Sequence, residues 1–212
     1  MDIYRIISLV ALALCTAMLL SQLYRLISAG LPKDYSKPSG TIKDGVIYSF
    51  TGAMSPYEKE SAYLHLPTYV LGLIFHLGTF LSILIYPFIL LAPELVLSFT
   101  IISFIAGFAM AIGSISGLAI LIKRVVKIDL RYLSSADDYI SNILTTISQA
   151  LSAIVLLTGR GYAIYFILFS LFLLWIPVGK TRHVLYFFFA RYHLGAFYGR
   201  RGTWPQKKTS NE

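Results

Sequence analysis

Residues 173–201 read LLWIPVGKTRHVLYFFFARYHLGAFYGRR, and the fold turns on this stretch. An apolar run ends at Trp175-Ile176-Pro177, the cations Lys180 and Arg182 follow, and an aromatic tail studded with arginine begins. Hydrocarbon-compatible side chains, then cations and interfacial aromatics, are what a helix leaving a bilayer presents. Two of the chain's 4 histidines, His183 and His193, lie here. The others, His65 and His76, flank and enter a second apolar run far upstream, LHLPTYVLGLIFHLGTF at 64–80.

Composition extends that reading to the whole chain. Its 212 residues are 57% hydrophobic and 13% charged, with a mean hydropathy of +0.71. That is too little charge for a soluble domain of this length, so the expectation is an all-α integral membrane protein. Apolar windows long enough to cross about 30 Å of hydrocarbon fall at 3–27, 68–91, 95–122, 139–157 and 162–189. They predict a five-transmembrane-helix bundle, with 190–212 as a basic, aromatic tail. The first window reads as a retained helix: its apolar run is too long for a cleaved leader, and Cys15 lacks the small preceding residue of a lipoprotein site. Of the 18 lysines and arginines, all but Arg5 and Arg160 fall at 25–59, 123–131 and 180–208. That asymmetry places the N-terminus outside and the C-terminus in the cytoplasm. The net charge of +8 then forms a cytoplasmic rim, suited to anionic headgroups and an acidic partner, with no call for nucleic acid.

Between the windows, residues 29–67 read as one long loop rich in proline and glycine. Pro87 and Pro93 bracket an outer turn, and Thr158-Gly159-Arg160-Gly161 makes the other. In the third helix Gly113 and Gly117 lie four apart, so one face admits a close neighbour, either another helix or the flat face of a porphyrin. In the fourth, Asn142, Thr146 and Gln149 draw a polar stripe into the membrane. Such stripes bond neighbouring helices; a quinone carbonyl or a haem propionate is the sharper alternative. Asp137 and Asp138 open that helix, where capping and pairing with Lys127 or Arg131 are expected.

The single cysteine excludes an internal disulfide, a four-thiolate iron–sulfur cluster and a thioether-linked haem. A redox centre would have to rest on histidine. An imidazole within a bilayer is costly unless its nitrogens are occupied, and a haem iron occupies one of them. His76 lies nine residues past Pro67, about 13 Å along a helix, while His183 approaches the same boundary from the other direction. Depth therefore pairs His76 with His183 as axial ligands of one haem b. The competing reading is a haem-free membrane anchor, which explains the basic tail but not two histidines at one depth. No G-x-S-x-G supports an intramembrane hydrolase, and Asp137 and Asp138 sit at a helix start rather than along an ion path.

Three motifs add a resemblance. Ile74-Phe75-His76-Leu77-Gly78, Leu130-Arg131-Tyr132-Leu133-Ser134 with Asp137-Asp138-Tyr139, and Ile176-Pro177-Val178-Gly179-Lys180-Thr181-Arg182-His183 resemble the gamma subunit of respiratory nitrate reductase. They resemble still more the membrane subunits of heterodisulfide reductase and of the sulfite-reduction-linked complex. The likeness spans the second to fifth helices in order. It implies a five-helix cytochrome b of a prokaryotic cytoplasmic membrane, exchanging electrons between quinone and a cytoplasmic iron–sulfur subunit. His76 and His183 match the family's proximal ligands. Where distal ligands would fall stand Tyr86 and Tyr165, which implies that this haem is missing and that Phe80, Tyr86, Phe88, Tyr165 and Phe166 fill its place. His65 and His193 are spaced to align a second pair on the cytoplasmic side, so one haem is expected and a second remains open there. By depth, Lys180, Arg182, Asn142 and Tyr132 are the quinone candidates.

Overall fold

The structure is a computed structural model that describes residues 2–30, 33–58 and 62–205; Lys59, Lys207 and Lys208 of the basic rim lie outside them. Every regular element among the described residues is helical. In chain order these are α1 (Ile3–Ala29), α2 (Ile42–Phe50), α3 (Leu66–Leu91), α4 (Pro93–Ser98), α5 (Thr100–Val126), α6 (Ile128–Tyr132), α7 (Ala136–Thr158), α8 (Tyr162–Trp175) and α9 (His183–Arg200), with short 3-10 turns between some of them. Four helices, α1, α3 with its preceding turn, α5 and α7, are long and apolar enough to cross a membrane; α8 and α9 together make a fifth if the broken pair counts as one span. The fold is that of a multi-pass membrane protein in its helix lengths and composition.

The structure departs from the sequence expectations at several points. The fifth window is not a continuous helix: α8 ends at Trp175 and α9 begins at His183. Pro177 has no amide hydrogen with which to continue the ladder, and the freed groups close tightly, Val178 and Gly179 N–H both donating to the Trp175 carbonyl at 3.1 and 2.8 Å. At 14 residues, α8 is only about 21 Å long. The tail is helical to Arg200, and the loop at 29–67 contains α2. Pro87 lies inside α3, and the outer turn forms at Ala92, ahead of Pro93 at the start of α4. The Thr158–Gly161 turn does form, with Gly159 and Gly161 both at positive φ (65° and 84°), where a side chain would be strained.

The chain divides into two compact units. The first comprises Met1–Met18 and Pro67–Thr181, the second Leu19–Leu66 and Arg182–Glu212.

Within the first unit, lipid supplies no hydrophobic drive between helices, so close packing and buried hydrogen bonds must hold them. Glycines on α5 supply the closeness. A Cβ on Gly107 would meet Leu157 at 2.9 Å, and one on Gly117 would meet Thr146 and the Phe75 ring. Gly78 of α3 and Gly113 of α5 face each other, a Cβ on either lying 3.1 Å from the other's Cα. Contacts that descend one helix while climbing its neighbour make α5 antiparallel to both α3 and α7. The hydrogen bonds come from short polar side chains. Gln149 Nε2 donates to Thr79 Oγ1 at 2.8 Å and to the Phe75 carbonyl at 3.3 Å. The Tyr86 hydroxyl donates to Ser8 Oγ at 2.7 Å, and Ser8 lies 2.9 Å from Ser170 Oγ. Tyr86, Tyr165, Phe166 and Phe169, each 1% exposed or less, fill the space between α1, α3 and α8.

The second unit is built on α2 and α9, which run antiparallel at near backbone contact. A Cβ on Gly45 would strike the Gly195 carbonyl and the Gly199 Cα, and one on Gly195 would come within 2.6 Å of the Val46 Cα. Each end is tied. Ser49 Oγ donates to the Arg191 carbonyl at 2.7 Å while Arg191 donates back to the Ser49 carbonyl. At the other end Ser39 and Gly40 N–H donate to the Arg200 carbonyl at 2.9 and 3.1 Å, and Arg201 forks onto the Asp34 carboxylate at 3.1 and 3.2 Å.

Candidate functional site

His76 stands on the second and third turns of the apolar stretch of α3, on an exposed side of that helix. Its Nδ1 lies 2.6 Å from the Gly72 carbonyl. A carbonyl only accepts, so Nδ1 carries a proton. This is the arrangement that fixes a metal-ligating imidazole through its other ring nitrogen. Gly72, one turn away, would have nothing within 4 Å of an added Cβ, so a flat open strip runs beside the ring. His183 is exposed and opens α9, next to Arg182, whose guanidinium lies 5.9 Å over the Tyr186 ring. His76 belongs to the first unit and His183 to the second. Among the described residues no group of three or more histidine, cysteine, aspartate or glutamate side chains is arranged to hold a metal ion; a bis-imidazole haem needs only two.

Tyr86 and Tyr165 meet in the first unit. Their ring centroids are 5.8 Å apart, and Phe169 stacks on Tyr86 at 4.0 Å. The space between α3 and α8 at this level is filled by aromatic rings, with Phe166 also buried. Phe80 and Phe88 take no part, being 43% and 58% exposed on the outer side of α3. The same pairing sets the antiparallel register of α3 against α8, which brings Trp175, rather than any histidine, to the level of His76 on α8.

Of the other candidates, Gly113 and Gly117 are occupied by helix packing against Gln149, Phe75 and Thr146. His65 is exposed at the end of the turn Ala62–His65; His193 is half-buried, its ring 4.3 Å from that of Phe189. Tyr132 is 84% exposed on α6. Asn142 is buried on α7, 3.3 Å from Thr146 Oγ1.

Lys180 lies in a polar cluster that the sequence did not reveal. Its ammonium is 2.6 Å from Asp138 Oδ2, and its backbone N–H donates to both Asp137 oxygens at 3.0 and 3.1 Å. Asp138 also caps α7 by accepting the Ser135 N–H at 2.8 Å, and its second oxygen lies 3.7 Å from Arg124. The capping expectation for the aspartate pair is met. The pairing is with Lys180 and Arg124, not Lys127 or Arg131: Arg124, on the last turn of α5, points at the start of α7, whereas Lys127 and Arg131 lie on the connecting segment. The Trp175 indole N–H donates to Ser141 Oγ at 2.9 Å, and Ser141 donates to Asp137 at 2.7 Å. A Cβ on Gly179 would run into that indole. The four-residue spacing of Trp175 and Gly179 was the available signal; it reads as a ring laid over a turn only once the helix is known to stop between them.

Comparison of the chain with protein-family models, with curated proteins and with solved structures finds no match.

Proposed function

We propose that this chain is the haem b-carrying membrane subunit of a quinone-linked respiratory complex, working between membrane quinone and a cytoplasmic iron–sulfur subunit. The observation that carries the reading is the His76 imidazole within the apolar helix α3, its Nδ1 held by the Gly72 carbonyl. The motif resemblance and the charge asymmetry support it. In this reading five spans cross the membrane with the N-terminus outside, and α8 carries the fifth crossing.

His76 and His183, the pair that the motif resemblance selects, would hold the haem iron. A haem held by two imidazoles is six-coordinate and carries single electrons without binding oxygen. Filled by Tyr86, Tyr165 and their aromatic neighbours, the outer half leaves no second ligand pair there, so quinone reacts near the cytoplasmic face. Lys180 is the best placed of the quinone candidates: Asp138 holds its ammonium, and Asn142 lies one turn further along α7. Protons released or taken up there exchange with the cytoplasm, and turnover by itself builds no membrane potential.

The test is the ratio of haem b to protein in the purified chain, with its reduced-minus-oxidised spectrum. One low-spin haem per chain is expected, lost in both His76→Ala and His183→Ala and unchanged in His65→Ala. A ratio of two, falling to one in His65→Ala, would overturn the single-haem assignment. A chain that stays haem-free when haem is supplied would leave the anchor reading, in which the chain only holds a redox partner at the membrane.

A further inference from the structure

The α2–α9 pair of the second unit has two unlike faces. On α2, Lys43, Ile47 and Phe50 fall at i, i+4 and i+7, which places them on one stripe. Phe50 stacks against Phe188 of α9 at 6.4 Å, and Tyr192 follows Phe188 by one turn. Ile42, Ile47, Phe50, Phe188 and Tyr192 are 45%, 52%, 38%, 53% and 46% exposed, so nothing else among the described residues covers them. The opposite flank is polar and closed: Tyr48 packs on Trp204 at 5.6 Å, Trp204 on Tyr198 at 4.8 Å, and Arg201 lies 4.1 Å over Phe197 while gripping Asp34.

We infer that the α2–α9 pair is an interfacial membrane element, its Ile42-Ile47-Phe50-Phe188-Tyr192 face sunk into the headgroup and acyl boundary of an anionic bilayer. Three features of the chain commit the face to lipid. First, the segments that enter and leave this unit are covalently continuous with apolar helices: the membrane-length α1 before it and α3 after it, and the shorter α8 directly ahead of α9. The bilayer surface is thus a neighbour that the unit cannot leave. Second, the Ile47–Phe50 stripe carries a lysine, and the acid beside it, Asp44, is held by the Thr41 hydroxyl at the start of α2. Exposed Lys43 extends along the stripe of Ile47 and Phe50, where its stem covers apolar surface and its ammonium reaches a phosphate. Third, the described residues of this unit carry Arg25, Lys33, Lys37, Lys43, Arg182, Arg191, Arg200 and Arg201 against only Asp34, Asp44 and Glu58, and Asp34 is already paired. The near backbone contact at Gly45, Gly195 and Gly199 makes the two helices one rigid plate, so both helices can lie in the interface together.

The inference does not depend on haem. Its test is spin labelling of the full chain in nanodiscs of phosphatidylcholine and phosphatidylglycerol, with Cys15→Ser as background. Labels at Ile47→Cys and Phe188→Cys are compared with Tyr35→Cys, which is 91% exposed in the 29–67 connection, and with Leu77→Cys on the outer side of α3. Oxygen partitions into lipid and a water-soluble nickel chelate does not. The ratio of their collision rates at Ile47 and Phe188 should exceed Tyr35 by about tenfold and stay below Leu77, which lies deeper. Tyr192→Cys repeats the measurement if either labelled protein fails to purify as a monodisperse species. Ratios at the Tyr35 level would mean the face meets water, and low collision rates with both reagents would mean a partner protein covers it. Line broadening that vanishes on dilution with unlabelled chain would mean a second copy does. Any of the three overturns the inference.

Discussion

A glycine's value here depends on what stands across from it, and α3 carries the contrast within one helix. Gly78 faces Gly113, and the Gln149 carbonyl oxygen is wedged between their Cα atoms, buried and without a conventional donor. Cα–H groups are weak donors to such an oxygen, and only glycine lets it come so near. An added methyl at either position lands on that oxygen, and Gln149 cannot retreat without releasing Thr79 and Phe75. Gly78→Ala and Gly113→Ala are each expected to destabilise the first unit by about 1–3 kcal/mol, the usual cost of overpacking. Gly72→Ala, six residues earlier with open space around it, should be neutral or gain up to about 1 kcal/mol of helix propensity. Thermal unfolding in detergent, followed by circular dichroism, separates the two classes; equal melting temperatures for all three variants would refute the notch.

At the scale of elements, the four long spans were legible because an apolar run of that length has few other uses. The polar stripe on α7 was legible too, since Gln149 in a bilayer must find partners and finds them on α3. The break after Trp175 was written in Pro177 and Gly179, but the hydropathy of 162–189 as a whole concealed it. Only its cap announces α2, Thr41 accepting the Asp44 N–H: 9 residues make a marginal helix alone, and its stability comes from α9, far along the chain. That dependence has a pH signature. The Arg201 guanidinium beside Asp34 holds its carboxyl well below its ordinary value of 3.8. A carboxylate depressed in the folded state stabilises fully above its unfolded pKa, and that stability is lost as pH falls toward the folded value. Asp34→Asn should therefore melt below the parent chain from neutral pH down to about pH 5, and the gap should close as pH falls through and below 3.8. A gap that persists unchanged at pH 2.5 would show that Asp34 acts through packing rather than charge. Gly45→Ala is expected to separate the same pair at any pH, because its methyl meets backbone, which cannot move aside.

For the whole molecule, the open quantity is which way it faces. Helix packing is indifferent to orientation: the aromatic core around Tyr86 and the glycine contacts of α5 would be identical in an inverted chain. Only the cations break that symmetry. Lys and Arg cluster at 25–59, 123–131 and 180–208, with Arg5 and Arg160 alone at the opposite ends of the spans. In the proposed orientation, the charge rule assigns the arginine-rich helix α9 to the cytoplasm. The break between α8 and α9 makes the matter sharper, because if α8 stopped short of the far surface, only four spans would cross and the two chain ends would share one side. Single cysteines at Lys43, Arg131, Arg160 and Lys207, on a Cys15→Ser background, distinguish the arrangements. With five crossings, a membrane-impermeant thiol reagent applied to intact cells labels Arg160→Cys and spares Lys43→Cys, Arg131→Cys and Lys207→Cys until the cells are opened. Labelling at Lys207 and Arg160 together, with Lys43 and Arg131 protected, would mean that the α8–α9 segment enters the membrane and returns to the side it came from. Labelling of Lys43, Arg131 and Lys207 with Arg160 protected would invert the protein, and with it any site for a cytoplasmic partner.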